Sequence, residues 1–120
     1  MFGRSAEIER LDQAFAAAGL PRAAVPDSVK LTMARLLREA CAGKPDDAAA
    51  AEAVEVAAYC MLGHDAFLDN HGPARAEAAA ARVRAAADAG EGLDARLVLL
   101  TLHADVIQAE VVERHGLSVG

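Results

Sequence analysis

The sequence predicts an all-α protein, a compact single-domain bundle of about five helices packed around a buried C-terminal helix. Alanine-rich stretches interrupted by glycine and proline are typical of short helices joined by tight turns. Hydrophobic residues make up 54% of the 120 residues, which suffices for one core and indicates a single domain over residues 1–120. Because aromatic residues make up only 3%, the core must consist mainly of leucine, valine and alanine.

The first helix is predicted from about Ser5 to Ala18. A serine at the N-cap accepts a hydrogen bond from a free amide of the first turn. Gly19 suits the left-handed residue that follows a helix. The inward stripe of this helix consists of Ile8, Leu11, Phe15 and Ala18.

The second helix is predicted from about Asp27 to Ala42, with Asp27 or Ser28 as its cap and Gly43 after its end. Its inward residues follow helical spacing. They are Val29, Met33, Leu36, Leu37 and Ala40.

The third helix is predicted from about Asp47 to Leu62, capped by an aspartate in the turn 44–47. Helical spacing assigns its residues to two faces. Val54, Ala57, Ala58 and Met61 are predicted to point inward, and Glu52, Glu55 and Tyr59 outward. Residues 64–71 are predicted to add a short turn of helix that plugs the end of the core with Phe67 and Leu68.

The fourth helix is predicted from Pro73 to Ala89, because proline suits the first helical turn and Gly90 a helix end. Alanine at 78–81 and 85–87 gives high helix propensity, but Val83 is its one large apolar residue. Two interpretations follow. The helix packs closely on its neighbours through alanine, or it lies at the periphery and is completed by a second copy of the chain.

The last helix is predicted from Leu93 to Val112, because apolar residues recur there on two adjoining faces. One face consists of Leu93, Leu97, Leu100, Ala104, Ile107 and Val111. A helix this apolar is expected at the centre of the fold. His103 falls on the same stripe as Arg96 and Glu110, which favours a polar edge of this helix over a ligand.

Charge and hydropathy exclude two classes of partner. A net charge of −6 argues against nucleic acid, since phosphate binding needs clustered lysine and arginine. The longest strongly apolar run, 97–100, is far shorter than the roughly 20 residues that cross a bilayer. Residues 1–5 lead into an amphipathic segment without the apolar stretch of an export signal. We therefore expect a cytoplasmic protein that binds neither nucleic acid nor membrane.

The two cysteines are predicted to stay free. Cys41 and Cys60 each fall near the C-terminal end of their own helix. Two antiparallel helices of about 16 residues place such ends roughly 20 Å apart. A disulfide needs Cα atoms within about 7 Å, and the cytoplasm keeps thiols reduced.

Side chains able to carry chemistry concentrate between Tyr59 and His71. Cys60 and His64 are four residues apart, so a continuous helix would place a thiolate and an imidazole on one face, as zinc could require. However, Gly63 interrupts the pair, and structural zinc sites normally show two closely spaced ligand pairs. A site here would need His71 or Asp69 to converge with them.

Each of these residues also has a structural interpretation. Cys60 suits a small buried apolar position, His64 and His71 suit helix caps, and Asp69 suits an exposed surface. The candidate ligand-binding residues are therefore Tyr59, Cys60, His64, Asp69, His71 and His103, without any catalytic residue, assigned metal or cofactor.

Enzyme signatures are missing from the sequence: it has no phosphate-cradling glycine loop, no Gly-x-Ser-x-Gly and no His-Glu-x-x-His. Enzyme activity therefore gains no support, although the question stays open. We expect a protein-interaction or regulatory module that binds another protein or itself as a homodimer. The alternative is a metal- or small-ligand-binding protein that uses Cys60, His64 and His71.

Overall fold

The computed structural model describes residues 5–43 and 45–117, and the helices over this range confirm the predicted all-α class. Seven α-helices occur among these residues instead of about five, and a 3-10 turn at Arg22–Ala24 follows the first. Expectations that concern residues 1–4 and 44 lie outside the described part. The helices are α1 (Ala6–Ala18), α2 (Asp27–Ala40), α3 (Asp47–Leu62), α4 (His64–His71), α5 (Pro73–Ala89), α6 (Leu93–His103) and α7 (Ala109–His115).

Local signals in the sequence determine both ends of α1. The Ser5 hydroxyl accepts a hydrogen bond from the Ile8 amide at 3.2 Å, as an N-cap residue does. Gly19 follows the helix with φ +103°, a left-handed conformation that strains any residue with a Cβ. A Cβ there would also lie 2.8 Å from the Asn70 side-chain nitrogen, which would have to move.

Both ends of α2 differ from the prediction. Pro26, and not Asp27 or Ser28, occupies the N-cap position, and it provides no side-chain hydrogen bond. The helix ends at Ala40, two residues early, and Ala42 adopts a positive φ of +54° before Gly43.

Helix α3 is the centre of the fold. It packs against α1, α2, α4, α5 and α6. Its predicted bounds are confirmed, and the Asp46 side chain caps it by accepting from the Ala49 amide at 2.8 Å. Nine of its residues are buried, more than in any other described helix, because small side chains on most of its circumference let neighbours approach closely.

Helix α5 packs within the chain through its alanines, which confirms the first of its two interpretations. It lies against α3, α4 and α6. Its buried residues follow the 3-4 spacing of one helix face, and no second copy is needed to bury them. They are Ala76, Ala79, Ala80, Val83 and Ala86.

The prediction of one helix over 93–112 is wrong, because the helix is interrupted between α6 and α7. Asp105 takes a left-handed φ of +59°, and the amides of Val106 and Ile107 both turn back to the Thr101 carbonyl. The break lets the Gln108 amide bond to the Cys60 carbonyl at 2.9 Å. It thus supplies a donor to a carbonyl that the end of α3 leaves unpaired.

Burial of the C-terminal segment is confirmed only in part. Leu97 and Val111 are completely buried, and Val98 nearly so. His103 and Ala104, in contrast, are exposed, because α6 ends at His103 and the helical spacing that predicted their environment does not continue beyond it.

A buried ion pair joins α1 and α2 in the core. The Lys30 Nζ atom is 2.6 Å from Asp12 Oδ1, and the two side chains are 0% and 5% exposed. Lys30 also donates to the Arg22 carbonyl at 3.1 Å, and the Arg22 guanidinium lies 3.1 Å from the second Asp12 oxygen. The pair fixes the 3-10 turn against both helices.

Two further expectations concern thiols and membranes. Cys41 and Cys60 are both free thiols, as predicted. Within the described ranges, no helix is long and apolar enough to cross a bilayer.

Candidate functional site

A large open groove of about 910 Å³ lies on the surface of the part of the chain that the structure describes. It lies between the C-terminal end of α2, the first half of α3, the second half of α5 and the start of α6. Small side chains form most of its apolar walls, so a helical segment could approach the backbone closely. These wall residues are Ala40, Ala49, Ala53, Ala85, Ala86 and Ala89.

The groove carries acidic side chains. Four carboxylates and one guanidinium line it, and Arg82 is that guanidinium. Arg82 bonds both oxygens of Asp94 at 2.8 and 3.1 Å, and Arg75 bonds Glu55. In the part of the chain that the structure describes, no cation pairs with the other two carboxylates, those of Glu52 and Glu91. The groove therefore has a surplus of negative charge.

A second cluster joins two of the sequence-predicted residues, Tyr59 and His64. Tyr59 is completely buried, which corrects the prediction that it points outward. Its hydroxyl oxygen lies 2.8 Å from His64 Nδ1 and 2.9 Å from His115 Nε2. Burial raises the pKa of Tyr59 to about 12, so its hydroxyl keeps the proton at neutral pH.

The single hydroxyl proton sets the direction of both bonds. If Tyr59 donates to one imidazole, it must accept from the other. His115 Nδ1 is buried, and the described residues offer it no hydrogen-bond partner. A proton on that nitrogen would be an unsatisfied buried donor, so the favoured arrangement has His115 Nε2–H donating to Tyr59 and Tyr59 donating to His64 Nδ1.

Cys60 faces a different part of the core from His64. It is completely buried, and Thr101 is its hydrogen-bonding neighbour. Burial raises the pKa of the Cys60 thiol to about 12. Because the thiolate is the nucleophile and the metal ligand, Cys60 is in its unreactive form at neutral pH.

The other three candidates lie apart from the Tyr59 hydroxyl. The His71 Nε2–H group donates to the Ala18 carbonyl at 2.9 Å, so His71 caps the end of α1 and not its own helix. Asp69 and His103 are exposed. Across the described ranges, no three His, Cys, Asp or Glu side chains are grouped so that they could hold a metal ion.

Sequence reasoning missed His115, Asp12 and Lys30. Each has a periodic signal, because each lies on the apolar stripe of its helix. His115 is four residues after the buried Val111, and Lys30 is three before Met33. A polar residue on an apolar stripe marks a buried hydrogen bond or ion pair.

In comparisons with protein-family models, curated proteins and solved structures, no match to this chain is found. The chemistry of the groove and of the tyrosine–histidine cluster is therefore the basis for any function.

Proposed function

We propose that this protein is an interaction module whose groove binds a cationic amphipathic helix of a partner protein. The observation that carries the proposal is the groove of about 910 Å³, with alanine walls and uncompensated carboxylates. Helix-in-groove recognition uses such a surface: apolar side chains of the partner enter the groove and its polar face contacts the edges.

The walls favour a helix as the occupant. Ala49 and Ala53 on α3 and Ala85 and Ala89 on α5 line the groove. Small residues let a third helix approach, and its larger side chains can fill the space that alanine leaves. The groove is open to solvent, which suits a helical segment of a partner better than an enclosed ligand.

The charges favour a cationic partner. Glu52 and Glu91 both line the groove without a cation among the described residues, and the whole chain carries a net charge of −6. Complementary potentials speed association and disfavour acidic partners. Lysine or arginine on the polar face of the partner helix would meet these two carboxylates.

A labelled helical peptide with lysine on one face and alanine and leucine on the other is the probe for this function. Its binding is followed by fluorescence anisotropy, and the same peptide with glutamate in place of lysine is the control. We expect the lysine peptide to bind and the glutamate peptide not to. Its affinity should fall with added salt, because the Debye length shrinks from about 30 Å at 0.01 M to about 3 Å at 1 M.

Two exposed alanines of α5 provide a matched pair of blocking variants. Ala85 lines the groove and Ala81 does not, although both are exposed in the same helix. Ala85→Trp should fill the groove and weaken peptide binding by at least about tenfold, or about 1.4 kcal/mol. Ala81→Trp should bind like the unmodified protein.

Charge variants test the acidic contribution separately. E52Q/E91Q removes two carboxylates from the groove, and E77Q/D88N removes two exposed carboxylates of α5 outside it. Because both changes alter the net charge equally, only a local effect distinguishes them. The proposal is contradicted if both peptides bind alike, or if Ala85→Trp and E52Q/E91Q bind as tightly as their controls.

A further inference from the structure

Helix α7 is attached to the rest of the fold by packing against α5 and by a small set of contacts at one end of α3 and α4. Val111 is its one completely buried side chain. The Glu110 carboxylate accepts from the His64 amide at 2.9 Å, and the Gln108 side chain donates to the Met61 carbonyl at 2.9 Å. The bond between His115 and the Tyr59 hydroxyl completes the attachment. A seven-residue helix has little stability of its own, so these contacts decide whether α7 stays in place.

The hydrogen bond between His115 and Tyr59 fits only the neutral imidazole with its proton on Nε2. Neutral His115 donates from Nε2 to Tyr59 and leaves Nδ1 as an unpaired acceptor. Protonated His115 would carry a second N–H on Nδ1, which is buried without a partner among the described residues. A buried unsatisfied donor on a charged ring is strongly unfavourable, so the charged form favours release into water.

The charges that surround His115 act in the same direction overall. Tyr59 from α3 contacts its ring, and the charge of His64 from α4 opposes a positive charge on it. Arg84 from α5 and Arg114 from α7 oppose a positive charge there, and Glu110 favours one. Burial, followed by these two arginines, lowers the pKa of His115 below its usual 6.5. The released helix regains the ordinary value, so acid stabilises the released form relative to the attached one.

We infer that α7 is a pH-responsive latch: protonation of His115 detaches α7 from Tyr59 and uncovers the end of the core at α3 and α4. The direction of the pH effect follows from the difference in the pKa of His115 between the attached and the released form. Attachment is fully favoured above pH 6.5 and weakens as the pH falls below that value, until His115 is protonated in both forms. Each unit by which the two pKa values differ changes the attachment equilibrium tenfold.

Amide hydrogen exchange at pH 7.5 and 5.5, corrected for the intrinsic effect of pH on exchange, tests this latch. We expect the amides of α7 to lose protection at the lower pH, by up to about tenfold, whereas the amides of α3 keep theirs. His103→Gln is the control variant, because His103 is exposed on α6, and it should behave like the unmodified protein. His115→Gln should show no acid-specific loss, since glutamine can donate to Tyr59 without titrating.

A second measurement covers the case in which His115→Gln fails to attach α7 at either pH. In the unmodified protein, nuclear magnetic resonance should show the Val111 methyl signals shifting with the same midpoint as the His115 ring. Unchanged α7 protection at pH 5.5 would overturn the inference, as would equal acid loss in attached His115→Gln. Simultaneous loss in α3 would also overturn it, because that result means global unfolding in acid. None of these results changes what the groove variants test, so the latch and the proposed function are tested independently.

Discussion

The substitution Asp12→Asn would remove the buried carboxylate that pairs with Lys30. The Lys30 ammonium is 0% exposed and 2.6 Å from Asp12. The next carboxylate, that of Asp27, is 3.9 Å away and 69% exposed, so it compensates poorly. Leaving a buried charge without its partner costs about 3–5 kcal/mol. This is a large part of the roughly 5–15 kcal/mol by which a typical domain is stable.

A surface pair of the same length supplies the control for Asp12→Asn. The Arg38 and Glu7 side chains are also 2.6 Å apart, but they are 45% and 33% exposed. Glu7→Asn would shorten the side chain, so Glu7→Gln is the matched substitution. It should cost less than about 1 kcal/mol, because water screens an exposed pair.

Urea unfolding followed by circular dichroism measures both free energies of unfolding. In thermal unfolding, Asp12→Asn should lower Tm by about 12–20 °C, at about 4 °C per kcal/mol for a domain of this size. The double variant Asp12→Leu with Lys30→Met should recover most of the stability, since a well-packed apolar pair can replace a buried ion pair. An Asp12→Asn cost no larger than that of Glu7→Gln would refute the reasoning.

Three further predictions follow from burial. Tyr59 is the one tyrosine and tryptophan is absent, so ultraviolet absorbance in alkali reports on Tyr59 alone. Tyrosinate should form near pH 12 and not near pH 10, because burial raises the pKa of Tyr59. The stability that the neutral hydroxyl contributes is complete below pH 10 and should be lost as the pH rises through 12. In the folded protein a thiol reagent should modify the half-buried Cys41 quickly and Cys60 only upon unfolding, so Cys41→Ser should abolish the fast phase. Ala79→Leu should lower the free energy of unfolding by at least about 1–3 kcal/mol, because Ala79 is 0% exposed against neighbouring helices, whereas Ala78→Leu on the exposed face should change it by less than about 0.5 kcal/mol. Equal effects of the two leucines, or a fast reaction of both thiols, would contradict the packing described above.

Local sequence signals predicted most helix ends correctly. Ser5, Gly19 and Pro73 act on backbone groups within a few residues, so their effect is readable without the fold. The break after α6 lacks such a signal. It depends on Gln108 reaching the carbonyls of Cys60 and Met61 at the end of α3, which is a tertiary contact.

The candidate site was predictable only in part for a similar reason. Tyr59 shares a helix face with Glu52 and Glu55, which predicts exposure if the face has one environment along its length. However, the neighbours change along α3. The two glutamates line the groove, whereas Tyr59 lies under His64 and His115 from α4 and α7. Periodicity identifies which residues share a face but not what covers each turn of it.

The groove itself had no sequence signal, because alanine on a helix is equally typical of buried and exposed positions. Ala53 and Ala86 are buried in its floor, and Ala85 and Ala89 are exposed on its edge. Only the separation of four helices turns these residues into a concave surface.

The most direct test of the proposed interaction is a nitrogen–proton correlation spectrum recorded while the lysine peptide is added. The groove predicts shifts at the amides of Cys41, Ala49, Glu52, Ala85 and Glu91. It predicts no shifts in the first turns of α1 or in α4. Shifts confined to those outer helices, or none at saturating peptide, would contradict the assignment of the groove as the binding surface.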